Sequence, residues 1–180
     1  MDSLQGHLLI ASSLLGDPNF VQTVILIVQH DENGALGLVL NRRLSTTVKD
    51  ALEESAELTC TIDDSLYQGG PCQGPLMVLH NDRGASDTQV MDDVYFSTEK
   101  EKVEQLLTGP PELARFFVGY SGWTAGQLDA EMESGSWLNT PAKSEWIFND
   151  DEEQWSRLIE QITIGKWIDP KRSPEDPSVN

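Results

Sequence analysis

Gly119-Tyr120-Ser121-Gly122-Trp123, placed after the apolar run Phe116-Phe117-Val118, has the outline of the G-x-S-x-G turn that presents a serine nucleophile in α/β-hydrolases. Its fifth position is Trp123 and not glycine. Such a hydrolase also needs a histidine later in the chain, and His7, His30 and His80 all precede Ser121. A serine α/β-hydrolase is therefore excluded, and Gly119 and Gly122 are expected to let the backbone turn between a strand and Trp123. A divalent-metal site would draw on His30, His80 and an acid such as Glu131. No pair among them has helical i, i+4 spacing, and a histidine ending a buried strand is more often hydrogen-bonded structure. No metal and no cofactor is expected. Cys72 has no basic neighbour in sequence to lower its pKa, and neither phosphate-loop pattern occurs; Gly69-Gly70-Pro71 is expected to be a tight structural turn. Trp137, Trp146 and Trp155 interleave with acids rather than with Lys or Arg, which suits core packing better than nucleic-acid stacking. Tyr120 and Trp123, beside glycines, are the aromatics placed to line a pocket.

The elements that position these residues follow from apolar spacing. Val24-Ile25-Leu26-Ile27-Val28 is a continuous aliphatic run, as in a strand covered on both faces, and it predicts a central strand. Asp31-Glu32-Asn33-Gly34 and a second apolar segment, 35–40, follow it, so 21–40 is expected to form an antiparallel hairpin turning at Asn33-Gly34. His30 would then lie at the turn end and Asn41 at the open end, about 20 Å apart. Further strands are expected at Leu76–Leu79, Phe116–Val118, Leu8–Ala11, Val94–Phe96 and Trp146–Phe148, in a sheet of roughly five to seven strands. Capping patterns at Thr47-x-x-Asp50, Thr98-x-x-Glu101 and Thr124-x-x-Gln127 predict three helices, and Trp155, Leu158, Ile159 and Ile162 form the stripe of a fourth over 150–161. Gln127 and Glu131 fall one turn apart on one helix face, where a closed capping box and a surface pair account for both.

A chain of 180 residues is long enough to bury about 70% of its unfolded surface as one domain. Residues 1–168 are expected to be that domain, and 169–180, with Pro170, Pro174 and Pro177, a polar disordered tail. There are 30 acidic and 12 basic residues, a net charge of -18, with acidic surpluses of 5, 6 and 7 in successive thirds. The acidity coats the whole domain rather than a tail, and it excludes a general phosphate-binding surface. With 38% hydrophobic residues the core is well supplied. Cys60 and Cys72 are too few for a disulfide scaffold, the N-terminus lacks the positive charge of a signal peptide, and no apolar run approaches a membrane span. A cytoplasmic protein with reduced thiols and no membrane contact is expected.

One ordered set of residues carries a resemblance. It begins Gly6-x-Leu8-Leu9-Ile10-Ala11, Phe20, His30-Asp31-x-x-Gly34-Ala35-x-Gly37-Leu38-x-Leu40-Asn41 and continues through Gly69-Gly70-Pro71, Leu79-His80, Gly119-Tyr120-Ser121-Gly122-Trp123, Gly126-Gln127-Leu128, Glu131 and Trp137. Together these resemble the AlgH/YqgE family of small bacterial cytosolic proteins, from about residue 4 to 149. The chain departs from the family in having Ser12-Ser13 where Pro is frequent and Cys72 where Val is frequent. The resemblance implies an α+β class, a single domain around a bulged, largely antiparallel or mixed sheet with helices packed outside it. It also implies a regulatory role in exopolysaccharide production, under the label of transcriptional regulator, and no established biochemical activity. No predicted helix has a basic face, so direct nucleic-acid binding is not expected. The leading expectation is a non-enzymatic regulatory or binding module acting through a small ligand or a protein partner. Its candidate pocket is His30, Asn41, Gly69, Gly70, His80, Tyr120, Gly122, Trp123, Gln127 and Glu131. The alternatives are a weakly metal-dependent, hydrolase-like enzyme and an acidic nucleic-acid mimic that captures basic proteins.

Overall fold

The computed structural model describes residues 2–55, 60 and 62–168, so the tail expected at 169–180 lies outside the described residues. In chain order the elements are β1 (His7–Ala11), β2 (Val24–Asp31), β3 (Gly34–Val39), β4 (Arg43–Thr47), α1 (Val48–Ser55), β5 (Ser65–Gln68), β6 (Met77–His80), β7 (Thr88–Met91) and β8 (Val94–Ser97). They continue with α2 (Lys100–Thr108), β9 (Ala114–Val118), β10 (Ser121–Thr124), α3 (Gln127–Glu133), β11 (Trp137–Pro141), α4 (Ser144–Phe148) and α5 (Gln154–Ile168). The class is α+β, as expected, but the strands divide between two sheets instead of one. The first has the order β10-β3-β2-β1-β11 and is antiparallel throughout; the second has the order β4-β5-β9-β6-β8-β7, with β5 and β9 parallel.

The wholly apolar strands are explained by what lies on each face. Leu8, Ile10, Val24, Leu26 and Leu38 of the first sheet, with Leu40 just past β3, meet Tyr67, Met77, Leu79, Phe96 and Phe117 of the second in one shared core. The alternate residues Leu9, Ala11, Ile25, Ile27 and Val39 point away, under Leu128 and Met132 of α3. On the far side of the second sheet, Leu66, Val78 and Phe116 are covered by Val48 of α1 and by Val103, Leu106 and Leu107 of α2. Both sheets are thus covered on both faces, which removes the polar alternation that a half-exposed strand would show. Leu158 of α5 is buried in the shared core, and the indole N–H of Trp155 donates to the Ala11 carbonyl at 2.8 Å, docking α5 against β1.

Several expected details differ. The hairpin forms, but Asp31 pairs with Gly34, so its two-residue turn is Glu32-Asn33. The turn is fixed by the Asp31 carboxylate, which accepts the Asn33 N–H at 2.8 Å. Gly34 instead opens β3 at φ +137, where a Cβ would overlap the Trp123 carbonyl of the neighbouring strand β10. Trp146-Ile147-Phe148 is helical, in α4, because a three-residue apolar run fits either period. Thr98 does not cap α2; its N–H and that of Glu99 both donate to the Asp87 carboxylate, which also pairs with Lys102 at 2.7 Å. Thr47 does cap α1, accepting the Asp50 N–H at 3.1 Å.

Candidate functional site

The expected pocket residues fall into separate structural groups. His80 ends β6 in the second sheet and is fully buried. The Ser97 hydroxyl donates to the Ala85 carbonyl, so it accepts from His80 Nε2 at 2.8 Å, while His80 Nδ1 accepts the Asp82 N–H at 3.2 Å. Both ring nitrogens are thereby used by a neutral imidazole. Burial holds its pKa below the ordinary 6.5, against the opposing charges of Asp82 and Asp87. The Ser97–His80 pair has the atoms of a nucleophile and base, but the proton of Ser97 is committed to a carbonyl and neither side chain reaches solvent.

Trp123, Gln127 and Glu131 do come together, on the outer face of the first sheet. Oε2 of Glu131 accepts both the Trp123 indole at 2.9 Å and the Trp137 indole at 2.8 Å, and Oε1 accepts Gln127 Nε2 at 3.0 Å. Gln127 Oε1 in turn accepts the Thr124 N–H, closing the turn before α3. Phe20 stacks with Trp123 at 6.3 Å and meets Trp137 edge-on at 5.6 Å. The cluster is a packed aromatic corner whose carboxylate is saturated by internal donors, and it fastens α3 and β11 to β10.

Gly69, Gly70, Tyr120 and Gly122 lie where the chain passes between sheets. The Gly69 carbonyl accepts the Val39 N–H at 2.9 Å, its N–H donates to Val118, and Cys72 and Tyr120 exchange backbone hydrogen bonds. A side chain on Gly70 would strike the Tyr120 carbonyl, so glycine is required by the close approach of the two backbones. Ser121 is buried and donates to the Gly69 carbonyl at 3.2 Å. Asn41 accepts the Val24 N–H at 2.9 Å and donates to the Gln22 carbonyl at 2.8 Å, closing a bend in which Gln22 takes φ 55. His30 Nδ1 accepts the Leu4 N–H at 3.1 Å, and its Nε2 lies 3.9 Å from Asp129 of α3. The ten residues are therefore spread over both sheets and the joints between them. They are chiefly the polar joints of the fold, and among the described residues no three His, Cys, Asp or Glu side chains gather as metal ligands.

A concavity lined by a buried cation is one the sequence patterns passed over. Arg115 is the second residue of β9 and is 4% exposed. Its guanidinium donates to the Leu40 carbonyl at 3.1 Å and the Asn149 carbonyl at 2.9 Å and lies 4.2 Å over the Tyr67 ring. Among the described residues no carboxylate lies within 4 Å of it. Arg43, opposite Tyr67 in the ladder, donates to Ser65 Oγ at 2.9 Å and pairs with Asp150 at 2.5 Å. These groups line a cleft of about 200 Å³ between β4, β5, β9 and the chain after α4. A larger cleft of about 500 Å³, lined by Glu145, Asn149, Gln154 and Arg157, shares Asp150 with it. Burial raises the Tyr67 hydroxyl above its usual 10.0, opposed by Arg115 and reinforced by Asp150. Arg115 occupies a position whose neighbours Ala114, Phe116 and Phe117 belong to an apolar run, so a cation interrupting a core strand was the available signal.

Comparison with known proteins places this geometry. A family model described as AlgH-like matches residues 8–167. The chain belongs to the AlgH-like family. A UPF0301 protein of Chlorobaculum tepidum is 39% identical over 97% of this chain and 95% of its own, and one of Idiomarina loihiensis is 36% identical over 93% and 95%. The solution structure of the AlgH protein from Pseudomonas aeruginosa superposes with a TM-score of 0.75 at 31% identity, covering 98% of this chain and 99% of that one. A crystal structure of the Corynebacterium diphtheriae protein DIP2367 shares the fold, with a TM-score of 0.70 at 22% identity over 89% and 88%.

The AlgH-like match runs further toward the C-terminus than the residues 4–149 that carried the resemblance, and it takes in all but the last residue of α5 and both clefts beside Asp150. Among the described residues no helix of this AlgH-like chain is long and apolar enough to cross a membrane.

Proposed function

We propose that this AlgH-like protein is a non-enzymatic regulatory or binding module, acting through a small ligand or a protein partner, with the cleft over Arg115 as its site. The observation that carries the reading is Arg115 itself. A guanidinium held 4% exposed in a core strand, on carbonyls and an aromatic face with no carboxylate paired directly to it, is costly compared with an apolar side chain of the same volume. Its orientation is fixed from three sides, which is how a binding group is held ready. His80 and Glu131 are engaged by internal hydrogen bonds, which favours a scaffold role for them over a reaction.

A thermal-shift screen of a metabolite library against the wild type and Arg43→Gln tests this. Ligands of the cleft raise the wild-type Tm by roughly 5–10 °C at 100-fold excess over Kd and lose that shift in the variant. Equal shifts in both proteins would move the site elsewhere, and turnover of a hit would sink the non-enzymatic reading.

A further inference from the structure

We propose that the ligand group bound over Arg115 is a small anion, a carboxylate or phosphate carried by a metabolite-sized molecule, and that Asp150 holds the place which this anion takes. The inference rests on the binding-module reading and adds the chemistry of its ligand.

Two of the 12 basic residues of a chain with net charge -18 converge here, Arg43 from β4 and Arg115 from β9. They are brought together by strand pairing, since Tyr67 lies opposite Arg43 on one side and beside Phe117 of β9 on the other. Their roles differ. Arg115 is the buried, immobile partner, while Arg43 is at the mouth with 57% of its side chain exposed. The planar fork of a guanidinium matches the paired oxygens of a carboxylate or phosphate better than any neutral group. Ser65 Oγ and the Tyr67 hydroxyl add neutral donors on the same wall.

The carboxylate now on Arg43 comes from Asp150, in the stretch between α4 and α5. It is 42% exposed, pairs with Arg43, and lies close enough to the Tyr67 hydroxyl and to Arg115 for its charge to act on both. An exposed pair such as that with Arg43 contributes about 0–1 kcal/mol, and an incoming anion replaces the charge of Asp150 beside Tyr67 and Arg115 with its own. The incoming anion gains Arg115 as well, in a desolvated position where charge-assisted hydrogen bonds are stronger. Asp64 also lines the cleft, which favours a compact anion held close to both guanidinium groups over a diffuse polyanion. The volume sets the size: about 200 Å³ is below the range of roughly 300–1,000 Å³ for drug-sized ligands, so it takes an anionic end. The adjoining cleft of about 500 Å³, reached past Asp150, takes the uncharged remainder.

Calorimetric titration of the full chain with succinate, inorganic phosphate and the neutral diamide succinamide tests the proposal in wild type, Asp150→Ala and Arg43→Gln. Removing the internal carboxylate strengthens succinate or phosphate binding by about tenfold, removing the Arg43 charge weakens it by about tenfold or more, and succinamide does not bind. Whichever of succinate and phosphate responds identifies the anion class. Arg115→Lys, checked for folding by circular dichroism, keeps the charge but loses the fork and binds more weakly than wild type. Unchanged or weaker anion binding in Asp150→Ala overturns the proposal, as does succinamide binding as well as succinate. A neutral library compound seated on Arg43 and Tyr67 would refute the anion while the binding-module reading survives; no cleft ligand of any charge would remove both.

Discussion

His80 shows how a residue with catalytic chemistry becomes a structural one. Its two nitrogens are occupied by Ser97 and by the Asp82 N–H, and its burial keeps it neutral. The unfolded chain takes up a proton near pH 6.5 that the folded chain refuses, so unfolding binds a proton as the pH falls. The stability associated with neutral His80 is intact above 6.5, declines as the pH drops from 6.5 toward the lowered folded value, and is level below that. The slope is at most about 1.4 kcal/mol per pH unit. Urea midpoints between pH 7.5 and 5.5 should therefore fall more steeply for wild type than for His80→Gln; parallel slopes would show that His80 does not titrate across folding. At this scale the sequence identified the polar residues but not their partners. Glu131 accepts indoles from Trp123 and Trp137, which come from different strands, and Arg115 is hidden within an aromatic run. Which group satisfies which is decided by tertiary packing, and spacing along the chain does not encode it.

At the scale of elements, legibility followed the length of the periodic signal. The long run of β2 and the cap of α1 were legible, because each contains enough residues to fix its period or its hydrogen bond. At α3 the Gln127 side chain does meet the Thr124 N–H, but the helix starts later, with Gly126 as a cap that has no side-chain bond. The four-residue strands β5, β7 and β10 were not legible, since so short a run does not separate strand from loop. Their placement depends on long-range pairing such as the parallel β5–β9 ladder. The hairpin turn illustrates the same limit: Asn33-Gly34 suggested a local turn, but Gly34 is required by β10 passing over it. Gly34→Ala is expected to cost about 2–4 kcal/mol by pushing β10 off β3, while Gly16→Ala, with open space around it, changes stability by less than about 0.5 kcal/mol. Denaturant unfolding of the two variants checks the contrast, and equal losses would mean that β10 yields without penalty.

On the whole molecule, a charge of -18 surrounds a four-layer arrangement of helix, sheet, sheet and helices. Like charges spread over one compact body repel, and that repulsion is screened by salt. Raising NaCl from 10 to 150 mM should increase Tm by roughly 2–4 °C, a change of about 1 kcal/mol. A Tm that falls with salt would mean that ion pairs such as Lys102–Asp87 outweigh the repulsion. The order of strands in the first sheet has a temporal consequence. β1 lies between β2 and β11, with Ala11 opposite Trp137. During synthesis β1 can join β2 and β3 early, but the partner for its other edge emerges about 125 residues later, roughly 6–25 s at ordinary rates of translation. For that interval Leu8, Leu9 and Ile10 form an open apolar edge on a nascent chain, the part of this protein most in need of shelter at the ribosome.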